Sequence, residues 1–166
     1  MSPISLVPAS MTFIDSTGKR VKIGPDSLAA LNKYIQNHPD KSEAGGVLLG
    51  RFIVASEDVV IDRVTVPMPG DKRSRSSFFR SAGSHQKQII TSWVSSSGTC
   101  NYLGEWHTHP ESIPDPSGHD IANWKQKLKH DVFDSSFLLF VIVGTEQINI
   151  WKGKRSDFSL EKLIYY

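Results

Sequence analysis

Residues 104–110 read Gly-Glu-Trp-His-Thr-His-Pro, and residues 116–120 read Pro-Ser-Gly-His-Asp. On a β-strand successive side chains point to opposite faces, so His107 and His109 point the same way, with about 7 Å between their Cα atoms. Two imidazoles on one face can converge on a single metal ion. The intervening loop lets the chain fold back, so Asp120, in the first turn of a following helix, is predicted to supply a carboxylate as the third ligand.

Two histidines and one carboxylate leave the fourth position of a tetrahedral site to water, which is typical of catalytic zinc. Zinc lowers the pKa of that water from about 15.7 to about 7, so hydroxide is available at neutral pH. A base must still take the proton. Glu43 is the candidate because it lies just before a Gly-Gly pair and a predicted central strand. Ser117 is the candidate donor of a hydrogen bond to the developing oxyanion.

Each of these features has a simpler interpretation when it stands alone. His-x-His occurs on strands by chance, Glu43 fits a surface carboxylate, and Ser117 with Asp120 fits a capping box at a helix start. If Asp120 binds a metal, it is not expected to serve the cap with the same oxygen. His119 is expected to lie on another face of the helix and not to be a ligand. All five residues in this order, with a glycine-rich strand attached, favour a metal-dependent hydrolase.

The series Glu, His-x-His-Pro and Ser-x-x-Asp at these positions resembles the full motif of the JAMM (JAB/MPN-plus) zinc metallopeptidases. Residues 45–50 are also similar to the strand that follows the catalytic glutamate in that family. The resemblance implies one Zn²⁺ per chain with a metal-bound water. It implies an α+β fold, the JAB/MPN domain, whose curved mixed β-sheet is flanked by helices and is similar to that of cytidine deaminases. The residues that it implies are the zinc ligands His107, His109 and Asp120, the catalytic base Glu43 and the oxyanion partner Ser117.

The short chain and the sequence of residues 104–107 resemble those of bacterial stand-alone deconjugating peptidases encoded beside E1-like and E2-like enzymes, including those of antiphage CBASS operons. There the peptidase is understood to remove a cGAS-like cyclase that was conjugated through its C-terminus. The resemblance implies a zinc-dependent isopeptidase that cleaves after the C-terminal residue of a conjugated protein and so reverses conjugation. Its expected partner is a protein with an extended C-terminal tail, either a cGAS-like cyclase or a ubiquitin-like protein.

Other functions remain open at this point. A peptidase that processes a ubiquitin-like or sulfur-carrier protein fits the same motif, as does a zinc amidase that acts on a non-protein substrate. Non-catalytic scaffolds of this fold typically lack ligands, and this chain keeps them all. Deaminases of the related fold need two cysteine ligands, which the single Cys100 cannot supply.

The stretch 70–80 combines four arginines or lysines with Phe78 and Phe79. It fits a solvated loop, a nucleic-acid patch, or a surface that holds an extended substrate tail by β-augmentation. A formal net charge of +2 does not argue for nucleic acid, so no nucleic-acid partner is predicted. The segment from Pro67 to Ser77 is predicted to be irregular.

The length of 166 residues, with 39% hydrophobic and 22% charged residues, fits one globular domain over 1–166. One cysteine allows no intrachain disulfide and agrees with a cytoplasmic location. Residues 1–10 carry no positive charge and no continuous apolar run, so no secretory signal is predicted. The longest apolar run, 137–143, is too short to cross a bilayer, so no membrane partner is expected. The oligomeric state is not indicated.

The hydrophobic pattern predicts a mixed sheet of six to eight strands with three helices. The strands are predicted at 11–15, 21–23, 47–54, 59–66, 100–109, 137–143, 147–151 and 158–164. The helices are predicted at 25–38, 84–94 and 116–129. The second helix is predicted to carry Ile89, Ile90, Trp93 and Val94 on its apolar side, and the third to bury Ile121, Trp124 and Leu128. Trp93, Trp106 and Trp124 are predicted to be core residues.

Overall fold

The structure is a computed structural model that describes residues 8–133 and 135–166. Within these residues nine strands form the main sheet, in the order β10-β9-β8-β7-β3-β4-β2-β1-β11, and two more form a separate hairpin, β5–β6. The strands are β1 (Met11–Ile14), β2 (Arg20–Ile23), β3 (Gly45–Phe52), β4 (Val59–Val64), β5 (Lys72–Ser74), β6 (Ser77–Phe79), β7 (Asn101–Thr108), β8 (Phe137–Val143), β9 (Ile148–Lys154), β10 (Leu160–Lys162) and β11 (Ile164–Tyr165). The helices are α1 (Pro25–Asn32), α2 (Ala82–Ser95) and α3 (Gly118–His130).

Two of the sequence predictions concern targeting: the absence of a secretory signal and the absence of a membrane-spanning segment. The prediction that no secretory signal is present falls largely on residues 1–7, which lie outside the described residues. Among the helices of the described residues, none combines the length and the apolar character that crossing a bilayer would require.

The main sheet is mixed and curved. β2 pairs with β4 and β7 pairs with β8 in parallel, and the other neighbouring strands are antiparallel. Parallel neighbours need a crossover connection, and α3 lies in the connection between β7 and β8. β10 pairs with β9 at one edge and β11 with β1 at the other, with Leu163 alone between β10 and β11, so the sheet curls until its edges approach. The predicted α+β fold is confirmed, although the sheet has more strands than the six to eight expected.

Strand β8 separates two hydrophobic cores. Its residues Leu139, Val141 and Val143 lie in the larger core, which also contains Trp106. Its alternate residues Leu138, Phe140 and Ile142 pack on the side of α3, where Trp124 and Leu128 are buried. A strand covered on both faces must be apolar throughout, which explains the continuous run from Phe137 to Val143. The Trp124 ring stacks on Phe140 at 4.7 Å and fixes α3 against the sheet.

Helix α2 does not bury the side that its pattern predicts. Trp93 is 52% exposed, so its assignment to the core was wrong, whereas Trp106 and Trp124 are buried as predicted. Ile90 and Val94, on the predicted apolar side, are exposed as well. The buried face instead carries His85 and Ser92. His85 is accommodated because its two ring nitrogens lie 2.6 Å from Thr65 Oγ1 and 2.8 Å from Asp71 Oδ2. An apolar stripe shows that a helix is amphipathic, not which face another element covers.

Other boundaries also differ from the prediction. α1 ends at Asn32, not at residue 38, although Ile35 still packs against the larger core. The segment from Pro67 to Ser77, predicted to be irregular, contains β5 and the start of β6, which pair with Lys72 opposite Phe79. β5 and β6 are called the hairpin below. Its strands are short and largely exposed, so they carry little hydrophobic periodicity to reveal them.

Gly104 lets β7 lie close to β8 just before the two histidines. Its φ is +144°, and a Cβ there would lie 1.8 Å from the carbonyl oxygen of Leu139. Neither the backbone angle nor the space therefore admits a side chain.

Gly104→Ala is expected to lower the free energy of unfolding by about 2–3 kcal/mol, because it combines backbone strain with a backbone clash. Urea denaturation would measure this loss. The matched control is Gly83→Ala in the first turn of α2, where a Cβ meets no described atom within 4 Å. The control should gain about 0.5–1 kcal/mol, as alanine does in helices. Equal stability of the two variants would contradict this interpretation of Gly104.

Candidate metal centre

The antiparallel register of β3 and β7 sets the geometry of the centre. Gly45 lies opposite His107, and the Thr108 N–H donates to the Ala44 carbonyl over 2.9 Å. Counting back along the same register places Glu43 beside His109, which follows the end of β7. A Cβ on Gly45 would lie 2.6 Å from the Phe78 ring and 2.7 Å from the Trp106 carbonyl oxygen. The Gly-Gly pair after Glu43 therefore permits the close packing around this end of β3.

The start of α3 supplies Asp120. Ser117 is the N-cap residue, and its Oγ accepts a hydrogen bond from the Asp120 N–H at 3.1 Å. In return the Ser117 N–H donates to Asp120 Oδ2 over 2.9 Å. This capping box fixes the Asp120 carboxylate in one orientation. The stacked Trp124, one turn further along, holds the helix itself in place.

The three predicted ligands converge. The Nε2 atoms of His107 and His109 are 3.0 Å apart, and Asp120 Oδ2 lies 3.4 Å from the first and 3.2 Å from the second. One ligand atom from each residue fits within a span of 4.8 Å. Tetrahedral zinc with bonds of 2.0–2.1 Å separates its ligands by about 3.3 Å, so these distances match. Two ring nitrogens 3.0 Å apart also need a proton or a cation between them. The donor set therefore fits zinc.

The sequence predicts that Asp120 does not serve the cap and a metal with the same oxygen, but in the structure one oxygen, Oδ2, faces both the cap and the two histidines. Oδ2 both accepts the bond from the Ser117 N–H and is the atom that faces the imidazoles. A carboxylate oxygen carries two lone pairs, so one can accept the cap while the other points to the cluster. The capping interpretation and the metal interpretation of this motif are therefore compatible.

Glu43 lies beside the cluster and is not part of it. Its side chain is 8% exposed, and Oε1 lies 3.7 Å from His109 Nε2. Burial raises the pKa of Glu43 to about 7, although His107 and His109 act in the opposite direction. Burial alone would also raise the pKa of Asp120, but the two imidazoles and the Ser117 N–H outweigh it and hold that pKa well below its usual range. Burial would lower the pKa of His109, yet the surrounding carboxylates, Asp120 foremost, raise it.

Glu111 is a neighbour that the sequence interpretation missed. Its Oε1 lies 3.3 Å from His109 Nδ1, which is buried and makes no hydrogen bond to the described residues. Metal-binding histidines usually direct their second nitrogen to a carboxylate or carbonyl, which fixes the tautomer. The available signal was a carboxylate two positions after the second histidine. His119, by contrast, is exposed, as expected of a residue that is not a ligand.

The hairpin contacts the Glu43 segment directly. The Glu43 N–H donates to the Ser74 carbonyl over 2.6 Å, and Arg73 Nε donates to the Glu43 carbonyl over 2.9 Å. At the end of the hairpin Phe79 is 71% exposed. Arg80 Nη1, next to it, is buried without a hydrogen-bond partner among the described residues. The basic stretch 70–80 is thus ordered against the centre on one side and open on the other.

Comparison with known proteins agrees with this geometry. The profile of the family described as prokaryotic homologs of the JAB domain matches residues 32–154. A relative from Escherichia coli is 33% identical, with 92% of this chain and 93% of the relative covered. One from Pseudomonas aeruginosa is 39% identical (80% and 85% covered), and one from Vibrio cholerae is 36% identical (93% and 91% covered). All three are named CD-NTase/cGAS isopeptidase.

A solution structure of a protein from Desulfitobacterium hafniense shares the fold, with a TM-score of 0.58 at 20% identity over 84% of this chain and 87% of that protein. The family profile covers well over half of the chain, and its match includes the Glu43 segment, the two histidines and Asp120. The chain therefore belongs to the family of prokaryotic JAB-domain homologues.

Proposed function

We propose that this chain is a zinc-dependent isopeptidase that cleaves after the C-terminal residue of a conjugated protein and so reverses the conjugation. The observation that carries this proposal is the convergence of His107, His109 and Asp120, with the buried Glu43 carboxylate beside them. The names of the relatives, which match over most of their length, support a CD-NTase or cGAS-like cyclase as the conjugated protein.

His107, His109 and Asp120 would hold the zinc ion through Nε2, Nε2 and Oδ2, the atoms that already face one another. Zinc bound there supplies Lewis acidity, which lets water ionise near neutral pH. Asp120 contributes a carboxylate that is already ionised, since its pKa is held low. Glu111 would orient the His109 ring from the opposite side.

Glu43 would move the proton. Its Oε1 lies close enough to His109 Nε2 to reach a water molecule shared with the cluster. The carboxylate would accept the proton of the attacking water and pass it to the departing amine, which for an isopeptide bond is a lysine side chain. The hairpin holds the backbone of Glu43 on both sides of its Cα, so the carboxylate acts from a fixed position.

Ser117 would stabilise the developing negative charge on the carbonyl oxygen. Its Oγ accepts the Asp120 N–H, which leaves the hydroxyl proton available to donate. A hydrogen bond of this kind stabilises a transition state by about 3 kcal/mol.

The hairpin would hold the substrate tail. The free edge of a two-stranded ribbon can pair with an extended peptide. Phe79 offers an exposed ring, and Arg80 directly after it offers a cationic guanidinium group. The positive charge of Arg80 would attract a carboxylate or a backbone carbonyl of the tail.

The first prediction of the proposed function concerns the metal. Metal-free protein should bind one Zn²⁺ per chain, as measured by isothermal titration calorimetry. His107→Ala and Asp120→Ala should each weaken binding by more than the roughly 10–100-fold that outer-shell changes cost. The control is His119→Ala, next to Asp120 but exposed, which should bind as the wild type does. Unchanged affinity in the Asp120→Ala variant would exclude it as a ligand.

The second prediction concerns the base. Glu43→Ala should retain one zinc per chain but lower kcat by about 10²–10⁴-fold, because proton transfer is lost while the ligands remain. The assay is cleavage of a cGAS-like cyclase joined through its C-terminus to a lysine, with and without a chelator. Glu146→Gln, an exposed carboxylate in the turn after β8, serves as the control. Wild-type turnover by Glu43→Ala would refute the assigned role.

The third prediction concerns the tail. Phe79→Ala and Arg80→Ala should each lower kcat/KM for the conjugate by about 10-fold, because tail contacts are lost, with zinc content unchanged. Val54→Ala, at an exposed apolar position on the β3–β4 turn, is the control and should show no loss. If both hairpin variants cleave the conjugate as fast as the wild type, the hairpin does not bind the tail.

A further inference from the structure

Thr108 lies between the two histidines but faces the other way. Its side chain is in the core, 0% exposed, and its Oγ1 accepts a hydrogen bond from the Ala44 N–H at 2.9 Å. Its own N–H donates to the Ala44 carbonyl, also over 2.9 Å. Thr108 therefore holds both backbone groups of the residue that follows Glu43. Its one hydroxyl proton goes to Gln36 Oε1, 2.8 Å away.

Gln36, which follows α1, joins three segments. It is 2% exposed, and its two amide hydrogens go to the carbonyl oxygens of Lys41, at 3.1 Å, and Arg75, at 3.0 Å. With the bond from Thr108, its carbonyl and both amide hydrogens are engaged. Gln36 thus links the approach to Glu43, the hairpin and the strand that carries the histidines.

Glu43 sits where these segments meet. Residues 41 and 44, on either side of it, are bonded by Gln36 and Thr108 respectively. The residues of the hairpin that bond Glu43 itself, Arg73 and Ser74, directly precede the Arg75 that Gln36 holds. Glu43 lies outside the regular ladder of β3, which begins at Gly45. Its position relative to the histidines therefore depends on this buried network.

We propose that Gln36 and Thr108 are positioning residues, which hold the Glu43 carboxylate at a fixed distance from His107 and His109. This inference rests on the proposed function, because it is there that Glu43 moves the proton. Apolar side chains would fill the same space, but only directional bonds fix the orientation of the chain around Glu43. Misplacement of a reacting group by about 1 Å can cost about 100-fold in rate.

Amide hydrogen exchange on the metal-free protein tests the positioning without any assay of activity. Thr108→Val removes the hydroxyl at nearly constant shape, and Thr108→Ser keeps it. Exchange at the Ala44 amide should rise at least about 10-fold in Thr108→Val, because the local opening that exposes this amide no longer has to break its hydrogen bond to Oγ1. In Thr108→Ser, which keeps the hydroxyl, exchange should stay near wild type. Exchange of the amides that form the hydrogen bonds between β8 and β9 should not change. Gln36→Met removes the bonds to Lys41 and Arg75 and should speed exchange of the Glu43 backbone amide. This variant replaces Thr108→Val in the test if Thr108→Val does not fold.

Turnover then shows whether the effect passes through Glu43. With zinc bound, Thr108→Val should lower kcat by about 10- to 100-fold at unchanged KM and zinc affinity, and Thr108→Ser should recover most of it. Thr91→Val, at an exposed position on α2, is the control. In a Glu43→Ala background, Thr108→Val should cause no further loss, because the residue it positions is absent.

Unchanged exchange at Ala44 in Thr108→Val would overturn the inference. The inference would also be overturned if Thr108→Val lowered kcat by the same factor in the wild-type and Glu43→Ala backgrounds, since Thr108 would then act independently of Glu43. If the wild-type protein cleaves no conjugate at all, the proposed function fails, while the exchange measurement still decides whether Thr108 holds the Glu43 segment.

Discussion

The antiparallel pairing of β3 with β7 is the constraint on which the centre depends. It places Gly45 opposite His107, and so it brings a glutamate early in the chain beside a histidine more than sixty residues later. A slip of the register by one residue would turn the imidazoles toward the core and Thr108 toward α3. The two glycines after Glu43 and Gly104 on β7 allow the strands around this pairing to approach closely.

Helix α3 completes the centre, and its own stability is tied to it. One oxygen of Asp120 satisfies the N-terminus of the helix and faces the two histidines, so the cap and the cluster share an atom. The stacked Trp124 and Phe140 hold the helix on β8, and β8 pairs with the strand that carries the histidines. Binding a cation at such a preformed site stabilises the folded state, since the unfolded chain lacks it.

Much of this arrangement follows from local pattern. The alternation of β7 puts both histidines on one face, and the Ser-x-x-Asp signature marks the start of a helix, so the site residues could be predicted before their geometry was known. The run 137–143 is apolar throughout, and it is a strand buried on both faces as that pattern indicates. The confirmed α+β fold rests on signals of this kind.

The remainder depends on contacts between distant residues, which local pattern does not encode. The hairpin is short and exposed and is fixed by hydrogen bonds to Glu43, about thirty residues earlier. Gln36 lies past the end of a helix, and its importance appears only once residues 41, 75 and 108 surround it. The apolar side of α2 has the periodicity of a buried face, yet Trp93 on that side is 52% exposed. Glu111 was overlooked because its partner is the far nitrogen of His109.

The central claim is that His107, His109 and Asp120 hold one zinc ion with Glu43 beside it as the base. The most direct measurement is a crystal structure of the zinc-loaded protein with anomalous data collected at the zinc edge. The account predicts a single strong peak about 2.0–2.2 Å from the two Nε2 atoms and from Asp120 Oδ2, with the Glu43 carboxylate beyond bonding distance of the ion. A zinc peak elsewhere, or one bonded directly to Glu43, would contradict it.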